Sequence, residues 1–345
     1  AEAEGVEGLI APGIDWPVAV AARVAERRGL PHPLSGAQAV LATSKLKQRE
    51  RFREAGVPQP PWELSRSPDE VRAAAARLGL PVVVKAPDRQ GQRGLGLVRR
   101  EEQIGPAAEE ALGAARAGTA IVERYAPGRE LTVNAFLREG EFHPLTITDR
   151  QLAEPPAFGV ALAHVWPSSL EPGVVEEACR AAQSAAAALG IENGPVYVQV
   201  LAGDDGPQVI ELAARLGGGH DAELCRLALG VDLNALALSA ALGETVDDGG
   251  LVASPRVGAA LVRFLVPPPG PLAEVRGVEE ARALPGIELV RVYRRPGFVF
   301  GPLRRGADRA GAVLAVGDSR EQALERAAAA ADAIRFEIAD AEALV

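Results

Sequence analysis

The sequence predicts a mixed α/β and α+β chain that is large enough for more than one folded unit. Strand-like apolar runs alternate with helical segments, without an internal repeat. The chain has 345 residues, 48% of them hydrophobic, so it can bury one large core or two to three ordinary ones. At residues 245–256 the composition changes to TVDDGGLVASPR, which is typical of a linker. These three observations favour an enzyme-like chain with a boundary near residue 250.

The first 42 residues are typical of the end of an α/β unit. GVEGLIAPG at residues 5–13 predicts a strand, and WPVAVAARVAERRG predicts a helix that ends at Gly29. A complete doubly wound unit contains more strands than this. We therefore expect residues 1–42 to be part of an N-terminal Rossmann-like domain that begins before the sequence does.

Helix and strand signals then follow each other up to the linker. Thr43 or Ser44 caps one predicted helix, and Ser67 with Pro68 opens another. The strand PVVVKAP comes next, and the proline-rich residues 149–172 are predicted to be irregular. Two hairpins are predicted, RELTVNAFL with EFHPLTIT and VYVQVLAG with PQVIELAA. Beyond the linker we expect a separate small lobe of strands covered by helices.

Composition excludes several classes of protein. A formal net charge of −9 argues against general binding to nucleic acid or to an acidic membrane, because such binding depends on a basic surface. No apolar run reaches the roughly 18 to 20 residues that span a bilayer. With no secretory signal at the N-terminus, we expect a cytoplasmic location. Cys179 and Cys225 are too few for a disulfide scaffold or a zinc cluster. A homodimer is the assembly expected by default.

Lysine is scarce, since Lys45, Lys47 and Lys85 are the only lysines among 37 basic residues. A compact ammonium group kept in an arginine-rich chain is a candidate for binding an anion. Lys85 ends a run of valines and is followed by a loop that contains Gly91 and Gly94. Glycine lets backbone amides approach phosphate oxygens closely. The pattern favours a lid over nucleotide phosphates, and the alternative is a flexible hairpin tip with exposed lysines.

The stretch IVERYAPGRELTV predicts a strand, a break at residues 126–128, and a second strand. A broken strand exposes backbone N–H and C=O groups that can pair with the edge of an adenine ring. Glu130, just after the break, could accept hydrogen bonds from ribose hydroxyls. An ordinary bend with solvated acids is the alternative.

The second hairpin gives a more specific prediction. A three-residue turn at DDG would put Gln199 directly opposite Glu211, with Cβ atoms roughly 4.5 to 5.5 Å apart. Strand alternation would bring Arg215 to the same face. An amide and a carboxylate oxygen suit Mg²⁺ that also binds phosphate, and Arg215 could hold a second anion beside the glycines of RLGGG. The alternative is a partly buried ion pair between Glu211 and Arg215 across a sheet.

The four histidines suggest no metal site. His164 and His220 could face a substrate, although a lone histidine is more often structural. Their spacing resembles no zinc site, and the absence of GxSxG argues against a serine hydrolase.

Taken in order, these motifs resemble the ATP-grasp superfamily over roughly residues 43–244. The resemblance implies an ATP-grasp fold, in which two α+β lobes clasp ATP. It implies that Lys45 and Lys85 contact the phosphates and that the loop of Gly91 and Gly94 covers them. The remaining implied nucleotide contacts are Glu123, Arg124, Tyr125 and Ala126 around adenine and Glu130 at the ribose.

The same resemblance implies that Gln199 and Glu211 bind Mg²⁺ and that Arg215 steadies an acyl-phosphate intermediate. RLGGG followed by a helix, and the stretch PGFVFGPLRRGADRAGAVLAVGDSREQA, are similar to the L-amino acid ligase branch. His164 would then lie near the substrate pocket. Such an enzyme joins a carboxylic acid to an amine and releases ADP and phosphate. The implied division is 1–42, an ATP-grasp domain at 43–250 with a lid at about 60–125, and a ligase-type lobe at 251–345.

Two departures from the family pattern limit this resemblance. Glutamate is more usual at the position of Gln199, and asparagine is more usual at the position of Ala213. One Mg²⁺ site is therefore expected, and a second is in question. Two other functions stay open, namely a carboxyphosphate-using enzyme of the purine or biotin type and an ATP-binding protein that has lost catalysis.

Overall fold

Residues 5–339 are described by a computed structural model, with the exception of the side chain of Asp248, and they contain eleven α-helices and three sheets. The first helices are α1 (Asp15–Arg28), α2 (Gly36–Ala42) and α3 (Lys45–Glu54). The predicted end of α1 is confirmed, because Gly29 follows it with a left-handed φ of 63°. Ser44 caps α3 by accepting a hydrogen bond from the backbone of Lys47.

The strand predicted at residues 5–13 is wrong, because these residues form no strand. They lie instead against the end of a helix, α8 (Leu233–Leu242). A Cβ atom at Gly8 would be 2.5 Å from the carbonyl oxygen of Ala241. No neighbouring strand offers backbone partners to this segment, so it does not form a strand. Its apolar residues cover the end of α8 instead.

A four-stranded antiparallel sheet forms a layer of its own, here called the lid sheet. Its strands are β1 (Trp62–Ser65), β2 (Val82–Lys85), β3 (Leu95–Val98) and β4 (Ala120–Arg124), in the spatial order β1-β4-β2-β3. The helices α4 (Pro68–Leu78) and α5 (Ile104–Ala114) pack on one face of it, with a short 3₁₀ helix at Glu101–Gln103. Val82, Val84 and Val122 meet small helix residues such as Ala74 and Ala108 in a separate core.

An eight-stranded sheet, here called the main sheet, forms the centre of the molecule. Its strands are β5 (Arg129–Arg138), β6 (Glu141–Leu152), β7 (Ala161–Trp166), β8 (Gly194–Gly203), β9 (Gly206–Ala213), β10 (Ala259–Leu265), β12 (Ile287–Val292) and β14 (Gly311–Gly317). The spatial order is β12-β14-β10-β7-β6-β5-β8-β9. The alanine-rich α6 (Pro172–Ala188) covers one face, against alternate residues such as Val133 and Val198. The other face carries α7 (Asp221–Leu229) and α8.

The first predicted hairpin is confirmed. Arg138 pairs with Glu141, and Glu139 and Gly140 form the turn with positive φ angles of 50° and 82°. The prediction of an irregular segment at residues 149–172 is wrong in part, because β6 extends to Leu152 and β7 lies inside the same stretch. Pro155 and Pro156 lie in the connection between β6 and β7, while ALAHVW is paired between β6 and β10.

The C-terminal residues, for which the sequence predicts a separate small lobe, contribute strands to two sheets. Their strands β10, β12 and β14 extend the main sheet through pairing of β10 with β7. A smaller three-stranded sheet lies beside it, made of β11 (Gly270–Arg276), β13 (Val299–Phe300) and β15 (Arg335–Ile338). The remaining elements are α9 (Asp248–Leu251), α10 (Val278–Arg282), α11 (Arg320–Ala333) and a 3₁₀ helix at Gly306–Asp308.

In the part of the chain that the structure describes, no single helix has the length and apolar composition needed to cross a membrane. The pair α7 and α8 meets those criteria only in combination, across a bend of 115°.

Candidate active site

A cavity of about 520 Å³ lies between the lid sheet and the main sheet. It gathers almost all of the site residues predicted from the sequence, although they are spread over 171 positions from Lys45 to Arg215. The predicted residues that line it are Lys45, Lys85, Gly91, Glu123, Arg124, Tyr125, Ala126, Glu130, His164, Gln199, Glu211 and Arg215. Gly94 is the exception.

The glycine loop joins β2 to β3 and covers one side of the cavity. Gly91 and Gly94 both have a left-handed φ of 64°, which favours glycine. A Cβ atom at Gly91 would meet nothing within 4 Å, so its backbone faces open space. A Cβ atom at Gly94 would be 2.7 Å from the Cβ atom of Ala114. Gly94 therefore lets the loop pack on α5 and does not itself face the cavity.

The loop also contacts the rest of the molecule through two glutamines. Gln90 accepts a hydrogen bond from the backbone of Asp15 at 3.3 Å. Gln92 accepts one from the backbone of Gly306 at 3.0 Å and donates one to the carbonyl oxygen of Gly159 at 3.4 Å. The glycine loop is therefore held in place by the N-terminal, central and C-terminal parts of the chain.

Lys85 belongs to a buried network of charges at the end of β2. Its Nζ atom lies 2.8 Å from Oε1 of Glu123, and Nε of Arg49 lies 2.6 Å from the same oxygen. Both Lys85 and Glu123 are buried. Glu123 was predicted at the adenine, but its side chain is committed to these two cations and so holds Lys85 in position.

Burial lowers the pKa of Lys85 to about 8, because the attraction of Glu123 offsets the loss of hydration only in part and the positive charge of Arg49 opposes protonation. The pKa of Glu123 is also lowered. Burial alone would raise it, but the positive charges of Arg49 and Lys85 outweigh that effect. The ammonium form of Lys85 is thus present at neutral pH and is lost as the pH rises through about 8.

We expect the affinity for ATP to fall about tenfold between pH 7 and pH 9, because the protonated fraction of a group with a pKa of about 8 falls by that factor. Calorimetric titration with MgATP across this range would measure the change. The variant Lys85→Arg keeps its charge throughout and should give a flat profile. An equal loss of affinity in Lys85→Arg would contradict a role for this lysine.

Lys45 and Glu211 form a second ion pair that lines the cavity. Nζ of Lys45 lies 3.1 Å from Oε2 of Glu211 and donates to the carbonyl oxygen of Arg89 at 2.9 Å. Although burial alone would lower the pKa of Lys45, the carboxylates of Glu211 and Asp15 raise it. Burial likewise works against ionisation of Glu211, but Lys45 and Lys85 hold its pKa at about 2. Both groups are therefore charged at neutral pH.

Gln199 and Glu211 are paired across β8 and β9, as predicted. The reason differs from the prediction, because the turn has two residues, with Gly203 paired to Gly206. A turn one residue shorter than predicted would pair Gln199 with Ile210. A bulge at Ile210 shifts the register by one residue, so Gln199 pairs with Glu211. Arg49 donates to the carbonyl oxygens of Val209 at 2.9 Å and of Ile210 at 2.6 Å, which satisfies the backbone at the bulge.

The side chains on this face fit a magnesium ion that arrives with phosphate. Among the described residues, no group of three His, Cys, Asp or Glu side chains could hold a metal ion. Glu211 and Gln199 supply one carboxylate and one amide beside two lysines. Mg²⁺ is commonly held by one or two protein carboxylates together with phosphate oxygens and water, so this donor set suits Mg²⁺ and not zinc. Ala213, at the position where the family usually has asparagine, adds no side-chain oxygen to the set.

Arg215 lies beyond the end of β9 and contacts Asp15 through its Nε atom. The ion pair between Arg215 and Glu211, which the sequence left open as the alternative, is not formed, because Glu211 pairs with Lys45 and Arg215 pairs with Asp15. The guanidinium group lies 6.0 Å from the ring of Tyr197 and still lines the cavity.

The carboxylate of Asp221 fixes the imidazole ring of His164. Nδ1 of His164 lies 2.9 Å from Oδ1 of Asp221, which also accepts from Asn134 at 3.4 Å. The other oxygen of Asp221 accepts from the backbone of Gly219 at 3.2 Å. Burial would raise the pKa of Asp221, but His164 and these hydrogen bonds hold it at about 2. His220, the other candidate histidine, lies 2.7 Å from the hydroxyl of Tyr293 and does not line the cavity.

Two of the three glycines of RLGGG, Gly217 and Gly219, are required by close packing on His164 and Asp221. A Cβ atom at Gly219 would be 2.6 Å from Cε1 of His164, and one at Gly217 would be 2.2 Å from Oδ2 of Asp221. By contrast, a Cβ atom at Gly218 would meet nothing closer than 3.9 Å.

Replacing Gly219 with alanine should therefore lower the free energy of unfolding by about 1 to 3 kcal/mol, because His164 is fixed by Asp221 and cannot retreat. The matched variant Gly218→Ala should change it by less than about 0.5 kcal/mol. Urea denaturation would measure both. Equal stabilities of the two variants would show that the ring of His164 can move.

The predicted strand break is present, but it covers residues 125–128 and so begins one residue earlier than predicted, directly after β4 ends at Arg124. The backbone of Tyr125 donates to the carbonyl oxygen of Pro81 at 3.0 Å, which fixes the break next to β2. Oε2 of Glu130 lies 3.0 Å from Nε of Arg150.

Four charged residues of the site were missed in the sequence. Arg150 lies in the stretch predicted to be irregular, and Arg49 has only an ordinary helical context. Asp221 lies two residues after the glycines, and an acidic residue so close to them was the available signal in the sequence. Arg309 comes from the C-terminal segment, and nothing in the sequence connects it to this cavity.

Comparison with known proteins gives two family matches. Residues 78–223 match the ATP-grasp domain, and residues 263–339 match the L-amino acid ligase C-terminal domain 2. The solved L-amino acid ligase from Bacillus licheniformis has a TM-score of 0.84 at 20% identity, covering 98% of this chain and 82% of that one. At this identity the likeness establishes the fold, so the predicted ATP-grasp fold is confirmed.

Two relatives are similar in sequence. The chain is 31% identical to the uncharacterised protein y4rH of Sinorhizobium fredii over 81% of its own length, and it spans 58% of that protein. It is 28% identical to the formate-dependent phosphoribosylglycinamide formyltransferase of Burkholderia lata, over 95% of this chain and 79% of that one.

Proposed function

We propose, on the premise that this chain carries an ATP-grasp domain followed by an L-amino acid ligase C-terminal domain, that it is an ATP-dependent carboxylate–amine ligase. The observation that carries the proposal is the convergence of Lys45, Lys85 and Glu211 on one cavity beneath a glycine loop. Two ammonium groups and a carboxylate suit a metal-bound triphosphate. The domain division at residues 42 and 250 and the lid at about 60–125 are part of the same proposal.

ATP would lie along the cavity with its phosphates between the two lysines. The break at Tyr125 and Ala126 offers backbone groups to adenine, and Glu130 offers a carboxylate to the ribose hydroxyls. The open backbone around Gly91 supplies amides to the phosphates. The positions of Lys85 on the lid sheet and Lys45 on α3 support contact with the phosphates from two sides.

Gln199 and Glu211 would hold one Mg²⁺ ion. When bound, this ion neutralises phosphate charge and polarises the transferred phosphoryl group. Glu211 keeps its negative charge at neutral pH because its pKa is about 2.

The proposed reaction has two steps. A carboxylate oxygen of the acid attacks the γ-phosphorus of ATP, which forms an acyl phosphate and releases ADP. The nitrogen of the amine then attacks the acyl carbon, the C–O bond to phosphate breaks, and an amide, inorganic phosphate and a proton are released. No side-chain nucleophile is required. Arg215 would balance the charge of the acyl phosphate, and His164, held by Asp221, would face the reacting groups.

A carboxyphosphate-using enzyme of the purine or biotin type is a second candidate, favoured by the shared fold of a biotin carboxylase domain that was solved with MgADP and bicarbonate. The match at residues 263–339 supports the ligase instead. Bicarbonate-dependent phosphate release would favour the second candidate. Tight ATP binding without turnover would favour an ATP-binding protein that has lost catalysis, a reading suggested by Ala213 and Gln199.

The proposal is tested by measuring phosphate release with MgATP over pairs of amino acids and other acids and amines, with mass determination of the products. We expect phosphate release that requires both an acid and an amine, with a product mass equal to their sum minus water. Absence of amine-dependent turnover with every acid tested would contradict the proposal.

A further inference from the structure

A second cavity, of about 530 Å³, lies on the face of the main sheet opposite to the active-site cavity. Neighbouring residues of one strand point to opposite faces of a sheet. Arg150 of β6 and His164 of β7 line the active-site cavity, whereas the adjacent residues Gln151 and Ala163 line the second cavity. Its outer walls are the end of α11, β15 and the connection that follows β10. Its volume is within the range of roughly 300 to 1,000 Å³ that small-molecule sites have.

The walls of the second cavity are largely apolar and partly exposed. Leu152 is 38% exposed and Val266 is 41% exposed, and Ile334 and Phe336 add to the same surface. Apolar side chains that face water in a concave site are stabilised when a ligand covers them. The cavity therefore suits a ligand with an apolar body.

Arg263 is the only basic residue among the described residues that line this cavity. It is half-buried on β10 between Leu261 and Leu265, which point to the same face of the strand and are 1% and 5% exposed. Within the described part of the chain, its side chain forms no hydrogen bond or ion pair. A cation that is partly removed from water without an anionic partner is unfavourable. An anion in the cavity would remove this cost.

The charges around the cavity favour a monocarboxylate over a phosphate. A guanidinium group binds a carboxylate through two parallel hydrogen bonds. A phosphate dianion would meet a single cation here, and the carboxylate of Asp332, which also lines the cavity, would repel it more strongly than a monoanion.

We propose that this cavity is a second ligand site, which binds a small carboxylic acid with an apolar body. The carboxylate of the ligand pairs with Arg263, and its apolar part covers Leu152, Val266 and Phe336. Leu152 also lines the active-site cavity, so the two sites share part of a wall. Binding at the second site requires neither ATP nor turnover, so the inference is independent of the proposed function.

The test uses hexanoate, octanoate and hydrocinnamate as probes, each compared with its own amide by calorimetric titration of the full chain. We expect at least one of these carboxylates to bind, about tenfold or more tightly than its amide. Arg263→Met should weaken binding of the carboxylate by about the same factor and leave binding of the amide nearly unchanged. Inorganic phosphate should not compete with the carboxylate.

The matched control is Arg335→Met, because Arg335 is exposed and lies between Ile334 and Phe336 without lining the cavity itself. It should leave the affinity for the carboxylate unchanged. Arg215→Met should also leave it unchanged, which separates this site from an acid bound in the active-site cavity. The midpoint of urea denaturation of Arg263→Met should be no lower than that of the unaltered protein, because an apolar side chain replaces an unpaired charge.

Four results would overturn the inference. One is that none of the three carboxylates binds, and another is that Arg263→Met binds them as tightly as the unaltered protein. The third is loss of binding in Arg215→Met, which would assign the acid to the active-site cavity. The fourth is a lower urea midpoint for Arg263→Met, which would give Arg263 a role in folding and remove the reason to expect a ligand.

Discussion

Substitution of Lys85 by methionine is expected to reduce ATP-dependent phosphate release by a factor on the order of 10² to 10³, because a charge that opposes the transferred phosphoryl group is lost. The fold should persist, since Arg49 still pairs with Glu123 at 2.6 Å when the lysine is gone. Steady-state phosphate release with the acid and amine found by screening would measure the effect, and calorimetry would measure the accompanying loss of ATP affinity.

The matched control is Lys47→Met. Lys47 lies two residues from Lys45 on α3, but its side chain is exposed. It should retain full activity. Comparable losses in both variants would mean that general charge, and not the position of Lys85, determines the rate.

Glu211→Gln is the second substitution with a large expected effect. It keeps the size of the side chain, removes the only carboxylate proposed for Mg²⁺, and leaves Lys45 without its ion pair. We expect turnover to fall on the order of 10³-fold and the Mg²⁺ concentration for half-maximal activity to rise, because the ion must then be held largely by phosphates. Activity measured against Mg²⁺ at fixed ATP would test both effects.

Asp205→Asn is the corresponding control, since it removes a carboxylate from the exposed turn of the same hairpin. Its Mg²⁺ dependence should match that of the unaltered protein. An unchanged Mg²⁺ dependence in Glu211→Gln would remove this residue from the proposed metal site.

The hairpin of β8 and β9 illustrates how far the sequence predicts the site. The pairing of Gln199 with Glu211 was predicted from an assumed turn length, and strand alternation gave only the shared face of the sheet. The turn was predicted one residue too long, and the bulge at Ile210 compensates for it. Bulges depend on contacts from elsewhere, here the hydrogen bonds of Arg49 from α3, and a local pattern does not contain them.

Scarcity of lysine predicted two members of the cavity, since arginine serves as the ordinary surface cation in this chain. The same abundance hid Arg150 and Arg309, which are indistinguishable by type from the exposed arginines. Their positions in the cavity arise from the tertiary structure. Arg150 lies on β6 in the main sheet, and the pairing of β10 with β7 brings the segment that contains Arg309 next to the cavity. Nor could the sequence predict that Glu123 would hold Lys85, because that contact joins neighbouring strands of the lid sheet.

The insertion of β10 between β7 and β14 means that the ligase-type segment cannot be detached as an independent module. A protein shortened at residue 250 would leave the hydrogen-bonding edge of β7 bare, together with the apolar surfaces of Val165 and Ala163. Exposed strand edges of this kind promote self-association. Such a truncated protein is expected to aggregate. Exchange of C-terminal segments between related enzymes should succeed only when β7, the strand on which β10 pairs, is exchanged with them.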